Sequence, residues 1–236
     1  IILCEIVRFL QRFLYLCQNN LVFCMDRIVG TTIYRQGLRT KILDAAMFEF
    51  RKIGIKGVKM DDIAGKLSIS KRTLYEIYSN KEELLYEGIR HREEEADRYI
   101  DEFQQAGHTV MEVIIEYFRM QVEYYSKINP LFFSELHKYP KLIEYLHEVH
   151  EKRHEESIAF LYQGVEEGFF LSGINFSITS RLTLAGTRFI MSSYMYREFS
   201  IKEIFYNSVF LFIRGYCTPK GLEVLDRFLT DYRNGD

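Results

Sequence analysis

Apolar side chains recur every three or four residues along most of the chain, and the alternation typical of strands is scarce. From Leu38 the pattern predicts a helix that ends at Gly54, since glycine readily adopts the left-handed conformation at which helices stop. A second helix is expected from Met60, with Asp61 and Asp62 in its first turn, where carboxylates stabilise the positive end of the helix dipole. This part of the chain therefore predicts two helices in close succession.

The next segment predicts a tight turn followed by a third, short helix. Ser70 is a suitable N-cap for this helix because its hydroxyl can accept a hydrogen bond from a free backbone amide of the first turn. Hydrogen-bond donors occupy the N-terminal end of the helix at 71–73, whereas Leu74 and Ile77 give it an apolar face. Such a helix can insert its N-terminal end into a DNA major groove while its other side is buried. A long helix is expected to follow from Lys81.

The remaining two-thirds of the chain also shows helical spacing, broken at Gly107 and at Asn129-Pro130. Pro130 suits the first turn of a helix because the N–H that it lacks is not needed there. The pattern predicts an all-α protein in which a three-helix helix-turn-helix domain is joined to a larger helical domain. The further helices are expected at 81–105, 110–128, 131–136, 141–168, 175–198, 200–216 and 221–232.

The first 36 residues differ from the rest, because their apolar stretch is interrupted by Glu5, Arg8 and Arg12. The stretch is too short and too charged for a membrane span, and it lacks the uninterrupted apolar centre of a signal peptide. Two interpretations stay open. Residues 1–36 form an amphipathic anchor or partner helix, or they are an extension upstream of the natural start, since Met25 is the first methionine.

Charge is distributed unevenly along the chain, although the total is only −2. Residues 37–85 hold ten Lys and Arg against seven Asp and Glu, so the rest of the chain is negative overall. A basic segment on an acidic body fits a protein that contacts phosphate groups with one part only. The four cysteines form no close CxxC pair, which favours free thiols in a reducing cytoplasm over a zinc ribbon or redox motif.

Several residues between Asp62 and Leu84 resemble, in order and spacing, the DNA-binding domain of the TetR (tetracycline-repressor) family. The resemblance extends over about residues 38–85. Two positions depart from the family pattern: Ser68 stands where the turn usually has glycine, and Lys59 lies in the entry to the second helix, where a hydroxyl is frequent. The matching positions are Asp62-Ile63-Ala64, Ile69-Ser70, Thr73-Leu74-Tyr75, Tyr78 and Lys81-Glu82-Glu83-Leu84.

The resemblance also implies a set of DNA-contacting residues. Arg72 is suited to donate two hydrogen bonds to a guanine edge, and Thr73 to contact a base or a phosphate. The rings of Tyr75 and Tyr78 are expected to pack while their hydroxyls meet the DNA backbone, and Lys81 to neutralise a phosphate. Two alternatives stay open: Tyr75 is buried in the core only, and Lys71 and Arg72 belong to a solvated helix face that contacts nothing. The predicted DNA-binding residues are Lys59, Ser70, Lys71, Arg72, Thr73, Tyr75, Tyr78 and Lys81.

For the larger domain, expected at residues 86–236 after a DNA-binding domain at 37–85, the family implies dimerisation and ligand binding. Segments 182–190 and 204–213 are strongly apolar, which favours burial between subunits over a thick monomeric core. An aromatic stripe is a candidate lining for a ligand pocket, although such stripes more often form plain core. The predicted ligand-binding residues are Tyr117, Phe118, Tyr124, Tyr125, Phe132 and Phe133.

Three histidines raise the possibility of a metal site. His147, His150 and His154 recur at i, i+3 and i+7, where imidazoles can share one divalent ion, but the zincin motif needs a different spacing. A solvated helix face is the alternative interpretation. The sequence has no Gly-rich phosphate loop and no nucleophile elbow, so we expect neither an enzyme nor a bound cofactor.

The resemblance and these patterns together predict a cytoplasmic, homodimeric regulator, most simply a repressor. It is expected to bind a palindromic operator in double-stranded DNA, to be released by an apolar or aromatic small molecule, and to have no membrane partner. Two alternatives stay open: a helical protein-interaction module with residual DNA binding, and a metal-responsive regulator that uses the three histidines.

Overall fold

The computed structural model describes residues 31–152 and 154–234, and the fold of these residues is all-α, as predicted. One isolated bridge, between Phe170 and Cys217, is their only β structure. No helix in these ranges is both long and apolar enough to cross a membrane. The helices are α1 (Thr31–Ile53), α2 (Met60–Lys66), α3 (Lys71–Ile77), α4 (Lys81–Gln105), α5 (Val110–Ser126), α6 (Pro130–Leu136), α7 (Pro140–Lys152), α8 (His154–Glu166), α9 (Phe176–Ser192), a 3-10 turn (Met195–Arg197), α10 (Ile201–Tyr216) and α11 (Pro219–Asn234).

Local signals in the sequence set many of the helix starts. Ser70 caps α3, and its Oγ accepts a hydrogen bond from the Thr73 amide at 3.0 Å. Asn129 and Asn175 cap α6 and α9 in the same way, and Pro130 lies in the first turn of α6. These caps satisfy backbone amides that have no partner inside the helix, so the predicted starts of these helices are confirmed.

Helix α9 ends earlier than predicted. It stops at Ser192, because Tyr194 adopts the left-handed conformation (φ 58°) and a 3-10 turn follows. The helical spacing of apolar residues continues through this break, so the sequence predicted one helix to residue 198.

Two other boundaries differ. Helix α1 (Thr31–Ile53) includes residues well before Leu38, where its start was predicted, and α11 begins at Pro219, whose fixed φ suits a first helical turn. The predicted helix 141–168 is described as α7 and α8, with residue 153 outside the described range.

The chain divides into two compact units. The first, called the head here, contains residues 31–96 and 127–143, so α6 packs with α1 although it lies far from α1 in the sequence. Its core is apolar and shared by α1–α4. The most deeply buried side chains are Ile42, Ala46, Phe50, Ile55, Ile63, Leu74, Tyr78, Leu84 and Leu85.

The second unit contains residues 97–126 and 144–152 together with 154–234. Its core is rich in aromatic rings. Phe118 on α5 contacts two rings of α10, Phe205 and Phe210, at centroid distances of 5.9 and 4.6 Å. Tilted and edge-to-face contacts of this kind stabilise a core beyond the burial of apolar area alone.

Candidate nucleic-acid interface

Helix α3 presents a polar surface at its N-terminal end and an apolar surface to the head. Lys71 and Arg72 are exposed, and 89% of the Arg72 side chain is accessible. Leu74, one turn further on, is fully buried, and α3 packs against α2. The buried face fixes the orientation of the helix and leaves its first turn accessible, as insertion into a major groove requires.

The two cationic side chains of this first turn are ion-paired within the protein. Lys71 Nζ donates to the carboxylate of Asp61, and Arg72 Nε donates to Glu76 Oε1 at 2.8 Å. The hydrogen bond to Asp61 raises the pKa of Lys71, and the hydrogen bond to Glu76 raises the pKa of Arg72. Exposed pairs of this kind are weak, so a phosphate or a guanine edge can displace the carboxylate.

The hydroxyl groups of the same turn are also engaged locally. Ser70 Oγ and Thr73 Oγ1 are 2.8 Å apart, and the Ser70 hydroxyl in addition caps the helix. Tyr75 projects from α3 and is 47% exposed, so the alternative in which its ring is simply buried is not what the structure describes. Ser70, Lys71, Arg72 and Thr73 thus lie together at the N-terminal end of α3, and Tyr75 follows one turn after Lys71.

Tyr78 differs from this group because its side chain is fully buried. The guanidinium of Arg39 lies over its ring at 4.8 Å from the centroid, and burial raises the pKa of the phenol. The packing role predicted for the ring agrees with this position. Its predicted contact with the DNA backbone stays a prediction, and it would require the hydroxyl to become accessible.

The two remaining predicted residues, Lys59 and Lys81, have contrasting environments. Lys59 is exposed immediately before α2, and its side chain makes no capping hydrogen bond. Lys81 Nζ instead donates to two backbone carbonyls, Ile55 O at 2.8 Å and Val58 O at 3.0 Å. Lys59 is therefore open to a phosphate, whereas the ammonium of Lys81 is already bonded within the head.

The turn between α2 and α3 contains an unusual backbone conformation. Ser68 has φ 52°, in the left-handed region that glycine adopts at least cost. The backbone amide of the next residue, Ile69, donates to Ala64 O at 3.0 Å, which closes the turn. The sequence departure noted at this position is thus a serine in a conformation that favours glycine.

The six aromatic residues predicted to bind a ligand do not form one group. Phe132 and Phe133 belong to the head, whereas the other four belong to the second unit. Tyr117, Phe118 and Tyr125 are almost fully buried, and the last two pack against Phe205. These side chains therefore contribute to two separate cores, and a role in ligand binding stays a prediction.

A cleft of about 410 Å³ lies between α9, the 3-10 turn and α10, and none of those six residues lines it. Its walls are mostly apolar, with Ile190, Met195, Phe199 and Phe212 among the lining residues. The volume is in the range found for small-molecule sites. Sequence analysis missed this cleft because it depends on the unpredicted end of α9 at Ser192.

Helix α9 has a second surface, on which apolar side chains are exposed. Ile178, Leu182 and Phe189 are 56%, 54% and 65% exposed, and they follow one face of the helix together with Ala185. Phe189 also lines the cleft, so the two surfaces meet at this residue. On α10, Leu211 is 69% exposed. The four α9 side chains, Ile178, Leu182, Ala185 and Phe189, form what we call the α9 stripe.

No group of three or more His, Cys, Asp and Glu side chains that could hold a metal ion occurs within the described side chains. His147, His150 and His154 lie in α7 and α8, but their side chains are outside the described part. The metal-binding interpretation therefore stays a prediction.

Solved structures with the same fold extend over most of the chain. A TetR-family transcriptional regulator from Marinobacter aquaeolei VT8 matches with a TM-score of 0.60 at 20% identity, covering 82% of this chain and 98% of its own. A TetR-family regulator from Agrobacterium tumefaciens gives 0.57 at 16% identity, with coverages of 78% and 100%. The ketosteroid transcriptional regulator KstR2 of Mycobacterium tuberculosis gives 0.51 at 16% identity, with coverages of 81% and 97%. No curated protein sequence matches the chain.

The described part of the chain thus has the fold and the exposed polar helix end of a helix-turn-helix DNA-binding protein. Residues 42–87 match the model of the tetR family of bacterial regulatory proteins. The resemblance to this family stated from the sequence is confirmed over these residues. Proteins of the TetR family are transcriptional regulators.

Proposed function

We propose that this protein is a ligand-responsive repressor that acts in the cytoplasm. As a homodimer it binds a palindromic operator with two copies of α3, and an apolar or aromatic small molecule releases it from DNA. The observation that carries the proposal is the exposed N-terminal end of α3, where Lys71, Arg72 and Thr73 lie together on a helix-turn-helix whose other face is buried, with Tyr75 exposed one turn further on.

The α9 stripe supports the homodimer. Large apolar side chains that are more than half exposed and aligned on one helix face are unusual on a monomer and typical of an interface. A two-fold axis beside α9 brings the same stripe of the second copy into contact with it, since a symmetric dimer uses one patch on both subunits. Two α3 helices related by this axis would contact half-sites about one DNA turn apart, roughly 10 base pairs.

The cleft between α9 and α10 supports a small apolar ligand. Its mostly apolar walls include Met195 and Phe212, and the Glu203 carboxylate beside it is engaged in capping α10 at Ser200. A ligand shifts the protein away from DNA only by its difference in affinity between the two states. The proposed inducer therefore binds the DNA-free form more tightly than the DNA-bound form.

The test is selection of binding sites from a random double-stranded DNA library by the purified chain. We expect enrichment of a palindrome with half-sites about 10 base pairs apart. Its affinity, measured by fluorescence anisotropy, should fall steeply with salt because several phosphates are neutralised. Arg72→Ala is the matched variant, since this side chain is exposed and its removal leaves the head core intact.

Failure to enrich any palindrome, or binding that does not depend on salt, would contradict the proposal and favour the helical protein-interaction module. Enrichment of the same palindrome by Arg72→Ala with unchanged base preference would leave a DNA-binding protein but remove Arg72 from the residues that recognise bases.

A further inference from the structure

The turn between α1 and α2, residues 54–58, joins the first helix of the head to the helix-turn-helix. It begins at Gly54 (φ 84°), and Ile55 and Val58 are buried within it. Helix α2 starts at Met60, directly after this turn, and α3 packs on α2. Any change in the position of the turn therefore moves the start of α2 and, through it, the DNA-facing helix.

Lys81 holds this turn from one side. Its ammonium donates to the carbonyls of Ile55 and Val58, so two of its three N–H groups are directed into the head. Burial lowers the pKa of Lys81, and the nearby carboxylate of Glu135 opposes that effect. A contact of Lys81 with DNA phosphate would compete with these two hydrogen bonds from its ammonium to backbone carbonyls of the turn.

Glu135 on α6 holds the same turn from another side. Its Oε2 accepts a hydrogen bond from the Lys56 amide at 2.7 Å. At the start of the same helix, the Asn129 amide donates to Arg51 O at 2.8 Å and its side chain to Lys52 O at 3.1 Å. The last carbonyls of α1, which have no partner within that helix, are thereby satisfied by α6.

We propose that Lys81 and Glu135 are positioning residues for DNA recognition: they fix the turn at 54–58 between α1 and α2 and so set the placement of α2 and α3. This inference rests on the proposed DNA binding. It assigns Lys81 a different role from the phosphate contact expected from the sequence. It also gives α6, which carries Glu135, a part in placing the DNA-facing helix. Neither residue needs to touch DNA in this role.

Glu135→Ala gives the sharpest test, because electrostatics and positioning predict opposite results. Removing a negative charge from a DNA-binding head should strengthen binding to a polyanion. Loss of the hydrogen bond to Lys56 should instead weaken binding to the selected palindrome, by about tenfold. Glu135→Gln keeps an oxygen acceptor for this amide and should restore most of the affinity. Glu82→Ala is the control, since Glu82 is also an acidic residue of the head and makes no hydrogen bond to the turn.

Lys81→Met tests the other half of the proposal through the salt dependence of binding. The slope of log K against log salt is negative, and removing a residue that neutralises one phosphate makes it shallower by about 1. A positioning residue leaves this slope unchanged while affinity falls at every salt concentration. Lys59→Met is the matched control, because Lys59 is exposed and its side chain makes no capping hydrogen bond. For this variant the slope should become shallower by about 1.

Amide hydrogen exchange provides a readout without DNA and separates this inference from the proposed function. In Lys81→Met and Glu135→Ala we expect exchange over residues 54–66 to rise at least tenfold, and in Glu82→Ala to stay unchanged. If wild type binds no DNA, the proposed function fails, but the exchange measurement still tests whether Lys81 and Glu135 fix the turn at 54–58. Unchanged exchange, tighter DNA binding by Glu135→Ala, or a slope shallower by about 1 in Lys81→Met would overturn the inference.

Discussion

Helices α3 and α9 each leave one face uncovered, and the two faces have opposite chemistry. The first turn of α3 carries Lys71 and Arg72, which are exposed, and Thr73, which is half-buried. All three already hold hydrogen bonds within the protein. The α9 stripe exposes Leu182 and Phe189, which have no polar atoms to satisfy in water. The difference indicates different partners: a polyanion for the polar face and another apolar surface for the stripe.

The two faces also differ in what a substitution on them should change. On α3, each cation must exchange a carboxylate for a DNA group, so the net gain is small and depends on geometry. On α9, contact with a second copy removes apolar area from water without any exchange of hydrogen bonds. We therefore expect changes on α9 to affect assembly strongly and changes on α3 to affect the choice of DNA sequence.

The largest effect is expected from Leu182→Glu, since Leu182 is 54% exposed in the stripe and does not line the cleft. This change places a charge in the proposed apolar interface of both subunits, where desolvation of an unpaired carboxylate is costly. We expect the dimer Kd to rise at least a hundredfold, measured by analytical ultracentrifugation. Leu171→Glu is the control, since Leu171 is 42% exposed but lies outside the stripe. If both variants retain the oligomeric state of wild type, the stripe is not the interface.

Arg72→Ala should act on sequence preference and leave assembly unchanged. Loss of two hydrogen bonds to a guanine edge is expected to reduce discrimination at one base pair of each half-site by about tenfold or more. Competition anisotropy with single-base variants of the selected palindrome measures this ratio. Equal loss of affinity for all variants would identify a phosphate contact instead.

Glu76→Gln should produce a smaller change in the opposite direction. Glu76 accepts a hydrogen bond from Arg72, and this pairing lowers the pKa of the carboxyl group. Without the charge, Arg72 is released more readily to DNA, and we expect severalfold tighter binding. Glu95→Gln is the comparison, because it removes a carboxylate elsewhere in the head. The interpretation fails if the two variants show the same gain.

Ser68→Gly should have the smallest effect, on stability alone. Serine pays a steric cost at φ 52° that glycine does not, so we expect the head to be stabilised by roughly 1 kcal/mol. Thermal melting of the full chain measures the change. Ser172→Gly, at an exposed position where φ is not positive, should instead be neutral or destabilising. A lower melting temperature for Ser68→Gly would refute the assignment of strain.

Much of the fold follows from local signals that act within a few residues. Ser70, Asn129 and Asn175 cap their helices through their own side chains, and Gly54 and Gly107 adopt positive φ where helices end. Each of these effects depends on one residue and its immediate neighbours, so the sequence alone predicts it.

The features that sequence analysis missed depend on contacts between distant segments. Nothing near Lys81 in the sequence indicates that its ammonium reaches the carbonyls of residues 55 and 58, and Glu135 contacts Lys56 across 79 positions. The direction of a long charged side chain is set by tertiary packing, which a local pattern does not encode. For the same reason the pattern does not decide whether a buried aromatic residue such as Tyr117 lines a cavity or fills a core.

Hydroxyl-radical footprinting on the selected palindrome tests the central claim most directly. With wild type we predict two protected half-sites about 10 base pairs apart. A variant with both Lys71→Ala and Arg72→Ala should lose this footprint at the same protein concentration while remaining a dimer by ultracentrifugation. An unchanged footprint in that variant would contradict the claim that the exposed end of α3 recognises DNA.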